Sequence, residues 1–470
     1  MRTLAPLLVL LAFGLAACAD QTGPTSSTEP KTDTRGIDEA PSIELSLAAS
    51  RAARTALSGG DLTVFDASAG AFSLPALTLA GVRLAQHDEG DQAFEAEFGL
   101  ELGPVFDNVS CESCHLGDGR GRPPVGGEPF ESLLFRASVP GLGPHGGPRP
   151  VPGFGLQLQL RSTGMLPDAA AVVQYVESSG VFSDGTPFQL RSPTYTLTGI
   201  RQALPMGTLI SPRVAPAVVG LGLLEAVPEF EVLAIAAAQA LIGQVSGRPN
   251  YVWDEIRGRL ALGRFGWKAN NPSLMQQTAG AYNGDMGITT SLFPAEPCEG
   301  ADPACARHAP ELSDQTVADV AFYTQTLGVP ARRNLNDPVA LAGEVLFHQS
   351  GCASCHIATL RTGARAGVPE VSNQVIHPYT DLLVHDMGPA LADNRPDFRA
   401  SGREWRTAPL WGIGLVETVN GHTNFLHDGR ARSLIEAVLW HGGEAAAAQG
   451  RVKQMTAAER AALVAFLKSL

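Results

Sequence analysis

The sequence predicts a mainly α-helical fold made of two related domains, with long irregular loops and insertions. Apolar residues recur at helical spacing before each of two copies of a cysteine motif, and again at the carboxyl terminus. Glycine and proline are abundant, with 51 and 34 residues, which favours much irregular backbone. A length of 470 residues suits two or three domains of ordinary size.

The charge balance argues against nucleic acid as a partner. The chain has 47 acidic and 34 basic side chains, which gives a formal net charge of −13 at pH 7. A surface of this sign repels phosphate backbones. We therefore expect no nucleic-acid binding.

The amino terminus has the features of an export signal. Arg2 precedes an apolar run over residues 4–15 that is too short to span a bilayer. The sequence LAAC, which ends at Cys18, resembles a bacterial lipobox; ordinary cleavage after small residues, with an incidental cysteine, is the alternative. Residues 1–18 are thus predicted to be a lipoprotein signal peptide.

The segment after this signal predicts a flexible connection. Residues 19–45 are predicted to form a flexible tether, because they are rich in Thr, Ser, Pro and charge. We expect a periplasmic protein held by a lipid on Cys18, with the outer membrane as its site.

Two copies of a C-x-x-C-H pentad carry the clearest chemical signal. The first contains Cys111 and Cys114, and the second contains Cys352 and Cys355. This is the attachment signature of c-type haem, because two thiols at this spacing reach the vinyl side of one porphyrin. The alternatives are a thioredoxin-like redox pair, which needs no fifth-position histidine, and a zinc site, which needs both distant pairs at one metal.

The histidine that closes each pentad is the expected iron ligand. His115 follows the first pair of cysteines and His356 follows the second. An adjacent histidine can fold beneath the porphyrin and ligate its iron. The sequence therefore predicts two covalently bound haem c groups.

Two further cysteines predict a disulfide. Cys298 and Cys305 lie in a loop rich in proline and glycine. Because exported proteins fold in an oxidising compartment, we expect these two residues to pair locally.

Helical signals flank both pentads and predict cytochrome c-like domains. Residues 94–106 before the first pentad and residues 340–347 before the second have helical apolar spacing. Thr456, with Glu459 three positions later, predicts a capped carboxyl-terminal helix. We expect this helix to pack across the helix that precedes the second pentad.

An internal repeat indicates a duplication. Residues 213–227 (RVAPAVVGLGLLEAV) echo residues 406–419 (RTAPLWGIGLVETV). A change of composition over residues 327–338 suggests a boundary. We therefore predict an N-terminal c-type haem domain with insertions at residues 46–334 and a C-terminal one at residues 335–470.

The motifs together resemble a known family. The blocks that carry the likeness are LGPVF at 102–106, GDGRG at 117–121, GRFGWKA at 263–269, FLHDGRAR at 425–432 and LWHGGEA at 439–445. They are similar to the bacterial di-haem oxidoreductases, which are described as peroxidases, are often labelled thiol oxidoreductases and resemble di-haem cytochrome c peroxidases. The likeness extends over about residues 59–470.

The resemblance implies a reaction and its partners. The C-terminal haem would take electrons singly from a small cytochrome or another periplasmic donor. It would pass them to the N-terminal haem, where hydrogen peroxide is reduced. The resemblance also implies a calcium ion, whose ligands the sequence does not identify.

The resemblance also implies a sixth iron ligand. His441, fourteen residues after His427 on an expected helix, would complete a bis-histidine C-terminal haem. A helix-end histidine bonded to terminal carbonyls is the alternative. Met286 and Met387, each within an Asp-Met-Gly triplet, are competing donors.

Peroxide cleavage needs an acid and base that moves a proton from one oxygen to the other. Glu225, Glu229 and Asp285 are the candidate catalytic carboxylates. Glu225 has a counterpart, Glu417, in the repeat, so a structural role is the alternative for it.

Basic residues near the pentads are candidates for binding the haem propionates. Arg120 follows the first pentad, and Arg122 is an equal candidate. His427, Asp428 and Arg430 are expected to organise the haem edge.

Other functions remain open at this level. A non-catalytic di-haem electron-transfer cytochrome is the first alternative, and oxidation of an organic or protein substrate is the second. Thiol oxidation is a third, but Cys298 and Cys305 lack the C-x-x-C spacing of catalytic dithiols.

Overall fold

The computed structural model describes residues 39–298, 305 and 310–470, and helices and strands are interspersed along these residues. The protein is 34% helical and 19% strand, with many small sheets and without clear cytochrome c-like helical domains. The prediction of a mainly α fold with two such domains was therefore wrong. The physical reason is that the insertions after the first pentad form strands.

The elements are as follows. The α-helices of the described residues are α1 Glu39–Arg54, α2 Val82–Glu95, α3 Leu221–Ala226, α4 Glu229–Ile242, α5 Leu274–Met286, α6 Asp314–Thr326, α7 Pro338–Gln349, α8 Val416–Asn420, α9 Leu434–Trp440, α10 Ala446–Gln454 and α11 Ala457–Ser469. The strands are β1 Thr63–Val64, β2 Val105–Phe106, β3 Leu133–Leu142, β4 Pro148–Arg149, β5 Gln157–Leu158, β6 Arg161–Ser162, β7 Ala170–Val181, β8 Pro187–Thr198, β9 Leu209–Val214, β10 Tyr251–Asp254, β11 Arg259–Leu262, β12 Val329–Pro330, β13 Leu360–Arg361, β14 Val375–Ile376, β15 Val384–Asp386 and β16 Glu404–Arg406.

The predicted carboxyl-terminal helix is confirmed as α11. Thr456 and Glu459 form the reciprocal capping box at its start. The helix packs on α7 where Gly343 faces it, and a Cβ added at Gly343 would lie 1.9 Å from the Ala462 carbonyl oxygen. Only glycine permits the two backbones to approach this closely.

The same crossing occurs before the first pentad, between α2 and α6. A Cβ added at Gly90 of α2 would lie 2.2 Å from the carbonyl oxygen of Asp319 in α6. Four residues after this glycine, Phe94 packs on Tyr323, with ring centroids 5.4 Å apart. The paired crossings support the predicted duplication.

The second crossing repeats this aromatic contact. Phe347 lies four residues after the glycine of α7 and packs on Phe466 of α11, with centroids 5.1 Å apart. Each helix pair thus places a phenylalanine next to a pentad histidine.

The helix predicted over residues 94–106 is not formed, because α2 ends at Glu95. Gly99, Gly103 and Pro104 follow and oppose continuation of a helix. The chain reaches the first pentad through β2, which pairs with β6.

The insertion after the first pentad forms the largest sheet. Strand β3 pairs antiparallel with β9 in a register from Leu133↔Val214 to Ser138↔Leu209, and β4 and β5 also pair with β3. Strands β7 and β8 form a separate antiparallel ribbon of twelve residue pairs. Their β-branched and aromatic residues flank an Asp-Gly turn, which is a hairpin signal in the sequence.

The described residues from Glu44 to Leu470 form one compact unit. Within it, the short parallel pair of β1 and β12 ties residues 63–64 to residues 329–330. The domain division at residues 334 and 335 stays a prediction.

The amino-terminal predictions lie mostly outside the described residues. The signal peptide at 1–18, Cys18 and residues 19–38 of the predicted tether belong to that part of the chain. Residues 39–45, the last part of the predicted tether, belong to α1. Within residues 39–298, 305 and 310–470, no helix combines the length and apolar character needed to cross a membrane.

Candidate functional site

Both pentads line a single cavity of about 1130 Å³. A pocket for one small molecule is typically about 300–1,000 Å³, so this cavity exceeds that range. The six pentad side chains on its wall are Cys111, Cys114, His115, Cys352, Cys355 and His356. The fold therefore brings together two motifs that are far apart in the chain.

His115 is held as a neutral imidazole. Its Nδ1 lies 2.7 Å from the carbonyl oxygen of Pro216, a residue of the internal repeat. Burial lowers the pKa of His115 to about 4, despite this hydrogen bond. A histidine that ligates a metal commonly donates its other ring N–H to a backbone carbonyl, which fixes its tautomer and orientation.

His356 has the same arrangement. Its Nδ1 lies 2.9 Å from the carbonyl oxygen of Tyr379. Burial lowers its pKa to about 4. Both pentad histidines therefore have the protonation state and orientation that iron ligation needs.

The four pentad cysteines are free and have the properties of protonated thiols. Burial raises the pKa of Cys114 to about 12 and that of Cys352 to about 11, and it also raises the pKa values of Cys111 and Cys355. Redox-active and metal-binding cysteines need a stabilised thiolate. These surroundings do not stabilise a thiolate and therefore do not favour a redox-active dithiol.

His441 lines the cavity and lies in the electrostatic range of His356, whose pKa it depresses. It follows α9, which begins after its N-cap Ser433 where the sequence predicts a helix. The Nδ1 of His441 lies 2.7 Å from the carbonyl oxygen of Ala437. The alternative of a helix-end histidine bonded to a carbonyl is thus realised, and it is compatible with ligation because it engages one ring nitrogen only.

Three arginines on the cavity wall each have a side-chain nitrogen without a hydrogen-bond partner among the described residues, although Arg213 and Arg395 also form ion pairs with Asp397. Arg120 Nε, Arg213 Nη2 and Arg395 Nε are buried and have no hydrogen-bond partner in the described part of the chain. Buried donors normally have partners, and arginine is well suited to carboxylates. The wall therefore fits haem propionates, and with the histidines and thiols it meets the requirements of two haems.

The sequence identified Arg120 but missed Arg213 and Arg395. Arg120 also lies over the ring of Trp267, with 5.3 Å from its guanidinium carbon to the ring centroid. The signal for Arg213 was present, because Arg213 and Arg406 open the two copies of the repeat and both line the cavity.

The predicted haem-edge residues divide into two groups. His427 lines the cavity and stacks on Trp405, with ring centroids 3.7 Å apart. Arg430 does not line it; its Nη2 lies 2.7 Å from Asp428 Oδ2 and its Nη1 donates to the carbonyl oxygen of Ala390. Arg430 therefore forms an ion pair with Asp428, and neither residue lines the cavity.

Two of the three candidate catalytic carboxylates, Glu225 and Glu229, lie away from the cavity. Glu225 is buried away from the cavity, where its Oε1 accepts from the Leu274 N–H and its Oε2 pairs with Arg365 at 2.7 Å. Glu229 is exposed and accepts from the Tyr251 hydroxyl. Neither residue lines the cavity, and their catalytic assignment stays a prediction without support from this geometry.

Asp285 does line the cavity. Its Oδ1 accepts from Gln157 Nε2 at 3.0 Å. Burial raises its pKa, while Arg136 and the Gln157 amide act in the opposite direction. Asp285 is therefore the one predicted carboxylate that the fold brings to the cavity.

Glu296 is a cavity residue that the sequence analysis missed. Its side chain lines the wall and is buried, with 7% of the residue exposed. Its only sequence signal is its position two residues before Cys298.

Both candidate methionines lie on the cavity wall. Met286 is the buried last residue of α5, and it belongs to an apolar cluster that includes Cys111. Met387 follows β15 and is partly buried. Both remain competing donors.

The predicted disulfide is confirmed, because Cys298 and Cys305 are bonded. The predicted calcium site has no support among the described residues. There, the side chains close enough to share a metal are Cys355, Asp381 and His385. This set is not the oxygen-rich set that calcium prefers, so calcium stays a prediction.

The comparisons with known proteins identify a family. The model of the family described as "Di-haem oxidoreductase, putative peroxidase" matches residues 53–137 and 143–470, which is most of the chain. No curated protein and no solved structure gave a significant match. Together with the two pentads on one cavity, the family match leads to one conclusion: the chain belongs to the di-haem oxidoreductases.

Proposed function

We propose that the protein is a periplasmic di-haem c-type oxidoreductase that reduces hydrogen peroxide at its N-terminal haem, with electrons relayed through its C-terminal haem. The observation that carries this proposal is the difference between the two ends of the cavity. At one end His441 lies within electrostatic range of the pentad histidine His356, whereas at the other end no histidine among the described residues acts on the pKa of His115.

The pentads would hold the two haems. Thioether bonds from Cys111 and Cys114 would hold the first, and thioether bonds from Cys352 and Cys355 would hold the second. His115 and His356 are the corresponding iron ligands. Bound haem supplies an iron that exchanges single electrons and, with an open coordination position, binds oxygen ligands.

The C-terminal end favours electron transfer. His441 lies near His356, and both rings have one nitrogen bonded to a backbone carbonyl. If both histidines bind the iron of the second haem, this end would exchange electrons and would not bind peroxide.

The N-terminal end favours peroxide binding. Among the described residues, no second histidine acts on the pKa of His115. His145 lines the cavity but is exposed and stacks on Trp253, with centroids 3.6 Å apart. Carboxyl and amide groups of Asp285 and Gln157 lie on this part of the wall instead.

The overall reaction is H₂O₂ + 2 e⁻ + 2 H⁺ → 2 H₂O. The electrons come from a small cytochrome or another periplasmic donor, one at a time. The chain's own residues take part by moving protons at the peroxide oxygens and by stabilising the departing hydroxide through hydrogen bonds. Because both pentads line one cavity, the relay stays within a shared interior.

The test uses the purified protein with both haems in place. Mass spectrometry should show two covalent haems, and visible and EPR spectra should show one low-spin iron and one iron with a labile sixth position. Peroxide turnover with a reduced small cytochrome is the expected activity. Two permanently six-coordinate irons without turnover would refute the proposal.

A non-catalytic electron-transfer cytochrome is the second candidate, and Met286 favours it. Its thioether lines the cavity and packs in a cluster with Cys111. A Met286→Leu variant separates the two functions. If Met286 ligates iron, the N-terminal haem of the wild type is low-spin and becomes high-spin in the variant; the peroxidase proposal expects the same spin state in both.

The membrane location is part of the proposal. Cys18 would carry the lipid that anchors the protein in the periplasm, as the lipobox-like sequence indicates. Metabolic labelling with a fatty acid should mark the wild type and leave Cys18→Ala unlabelled and released from the membrane fraction.

A further inference from the structure

Glu296 has a carboxylate whose surroundings are unusual. It lies in the loop after α5 and lines the cavity, with 7% of the residue exposed. Its Oε2 is buried and has no hydrogen-bond partner in the described part of the chain. A buried polar atom without a partner costs free energy and calls for a ligand or a function.

Neighbouring carboxylates are satisfied in the usual way. Asp285 accepts from Gln157, and Glu311 Oε2 accepts from the backbone N–H of Thr289 at 2.9 Å. Glu296 therefore differs from the acidic groups near it, because one of its carboxylate oxygens is buried without a hydrogen-bond donor among the described residues.

The position of Glu296 is at the end of the cavity that holds the first pentad. A Cβ added at Gly103, in the segment leading to that pentad, would lie 2.9 Å from Glu296 Oε2. Phe293, three residues earlier in the loop, belongs to the apolar cluster that includes Cys111.

The loop that carries Glu296 is restrained before this residue by a hydrogen bond and after it by a disulfide. Asn283 Nδ2 donates to the carbonyl oxygen of Ala295 at 2.8 Å. On the other side, the disulfide between Cys298 and Cys305 closes the segment that follows. The side chain is thus held at the cavity by a restrained backbone.

We propose that Glu296 is the acid-base group that moves a proton between the two oxygens of peroxide at the N-terminal haem. The inference rests on the proposed peroxidase function. The carboxylate takes the proton from one peroxide oxygen and returns it to the other as the O–O bond breaks, so that this oxygen leaves as water. Two electrons from the donor and two protons from solvent convert the remaining oxygen atom to the second water.

The electrostatics suit this role. Burial raises the pKa of Glu296 to about 7, and the charge of Glu311 acts in the same direction. Glu311 is the charged group of the described residues that acts on it. Near neutral pH both protonation states are populated, as a group that accepts and returns a proton requires.

Asp285 is less suited to the same task. Burial raises the pKa of Asp285 as well, but its carboxylate already accepts a hydrogen bond from Gln157 and is attracted by Arg136, whereas Glu296 Oε2 has no hydrogen-bond partner in the described part of the chain. Asp285 therefore serves to fix the wall, and Glu296 remains free to exchange a proton.

Cyanide binding to the oxidised protein tests the inference without turnover. Hydrogen cyanide is protonated at neutral pH and must give up its proton when it binds ferric haem, so a nearby base accelerates it. In the wild type the binding rate should rise with pH through a break near 7. In Glu296→Gln the rate should fall at least about tenfold and lose this break.

Two further variants separate a proton-transfer role from a structural one. Glu311→Gln removes a negative charge near Glu296, so the pH break should move to lower pH. Glu255→Gln is the matched control, because Glu255 also lines the cavity but is exposed and accepts from Trp253. It should bind cyanide like the wild type.

The outcomes are distinct. Wild-type cyanide kinetics in Glu296→Gln, with two haems attached and peroxide turnover intact, would overturn the inference and leave the proposed function standing. Failure of the wild type itself to bind cyanide would overturn both. If Glu296→Gln fails to assemble, Glu296→Asp provides the test: a slower rate with a retained pH break supports the role, and an unchanged rate refutes it.

Discussion

Replacing Gly343 by alanine should destabilise the protein through the crossing of α7 and α11. The new Cβ would lie 1.9 Å from the Ala462 carbonyl oxygen and 2.8 Å from the Cβ of Phe466. Alanine gains about 1 kcal/mol over glycine within a helix, but forcing a group into a packed contact costs about 1–3 kcal/mol, and more where backbone must move. We expect a net loss of about 1–2 kcal/mol or more.

Gly450→Ala is the matched control. Gly450 is also inside a helix, α10, but a Cβ there meets no atom within 4 Å. Its variant should gain up to about 1 kcal/mol. Urea unfolding of the haem-loaded proteins, followed by circular dichroism, should therefore separate the two variants by about 2–3 kcal/mol in opposite directions. Equal stability of the two variants would refute the packing argument.

Three other variants probe the cavity and its wall. His441→Ala should convert the C-terminal haem from low-spin to high-spin, as visible and EPR spectra will report. Asp397→Asn should remove an acid-dependent part of stability: burial opposes ionisation, but Arg395 and Arg213 outweigh it and lower the Asp397 pKa from 3.8 to about 2. That contribution is complete above about pH 4 and is lost as pH falls through 2, so urea midpoints of wild type and variant should converge over this range. Arg120→Gln should lower the reduction potential of the nearer haem in a redox titration, because it removes a buried positive charge.

Matched controls accompany these variants. His348→Ala and Asp88→Asn change exposed residues, and Arg122→Gln changes an arginine whose side chain is 51% exposed. Each should resemble the wild type. Unchanged spectra in His441→Ala, an undiminished acid dependence in Asp397→Asn or an unshifted potential in Arg120→Gln would contradict the corresponding role.

Local signals in the sequence were reliable because their physical cause is local. The capping box at Thr456 and the disulfide between Cys298 and Cys305 each depend on residues a few positions apart. The pentads belong to the same class, but their placement on one cavity depends on the tertiary structure.

The prediction of a mainly α fold was wrong because it assumed that the whole chain is as helical as the segments next to the pentads. Strands β7 and β8 have β-branched residues on both sides of Asp184 and Gly185, which is a hairpin signal. The prediction relied on helical spacing only and did not use this hairpin signal. The prediction of a helix over residues 94–106 was wrong for a related reason, because it followed the spacing of apolar residues and ignored the helix-breaking residues Gly99 and Pro104.

The carboxylates show the limit of reasoning from sequence. Glu225 was a candidate catalytic carboxylate, yet its partners Leu274 and Arg365 are distant in the chain and engage both of its oxygens. Glu296 could not be identified from the sequence, because a carboxylate oxygen without a hydrogen-bond partner can be recognised only in the tertiary structure. Its neighbour Cys298 was the one local indication of an ordered loop.

Buried ion pairs join the parts of the chain on either side of the predicted boundary at residues 334 and 335. Lys268 is fully buried and reaches Asp393 at 2.9 Å, and Arg213 reaches Asp397 at 2.9 Å. If the chain were separated between residues 334 and 335, these buried charges would lose their partners. Each broken ion pair would reduce stability by about 3–5 kcal/mol. Expression of either part alone should therefore give an unstable polypeptide, because each part supplies buried charges that pair with the other.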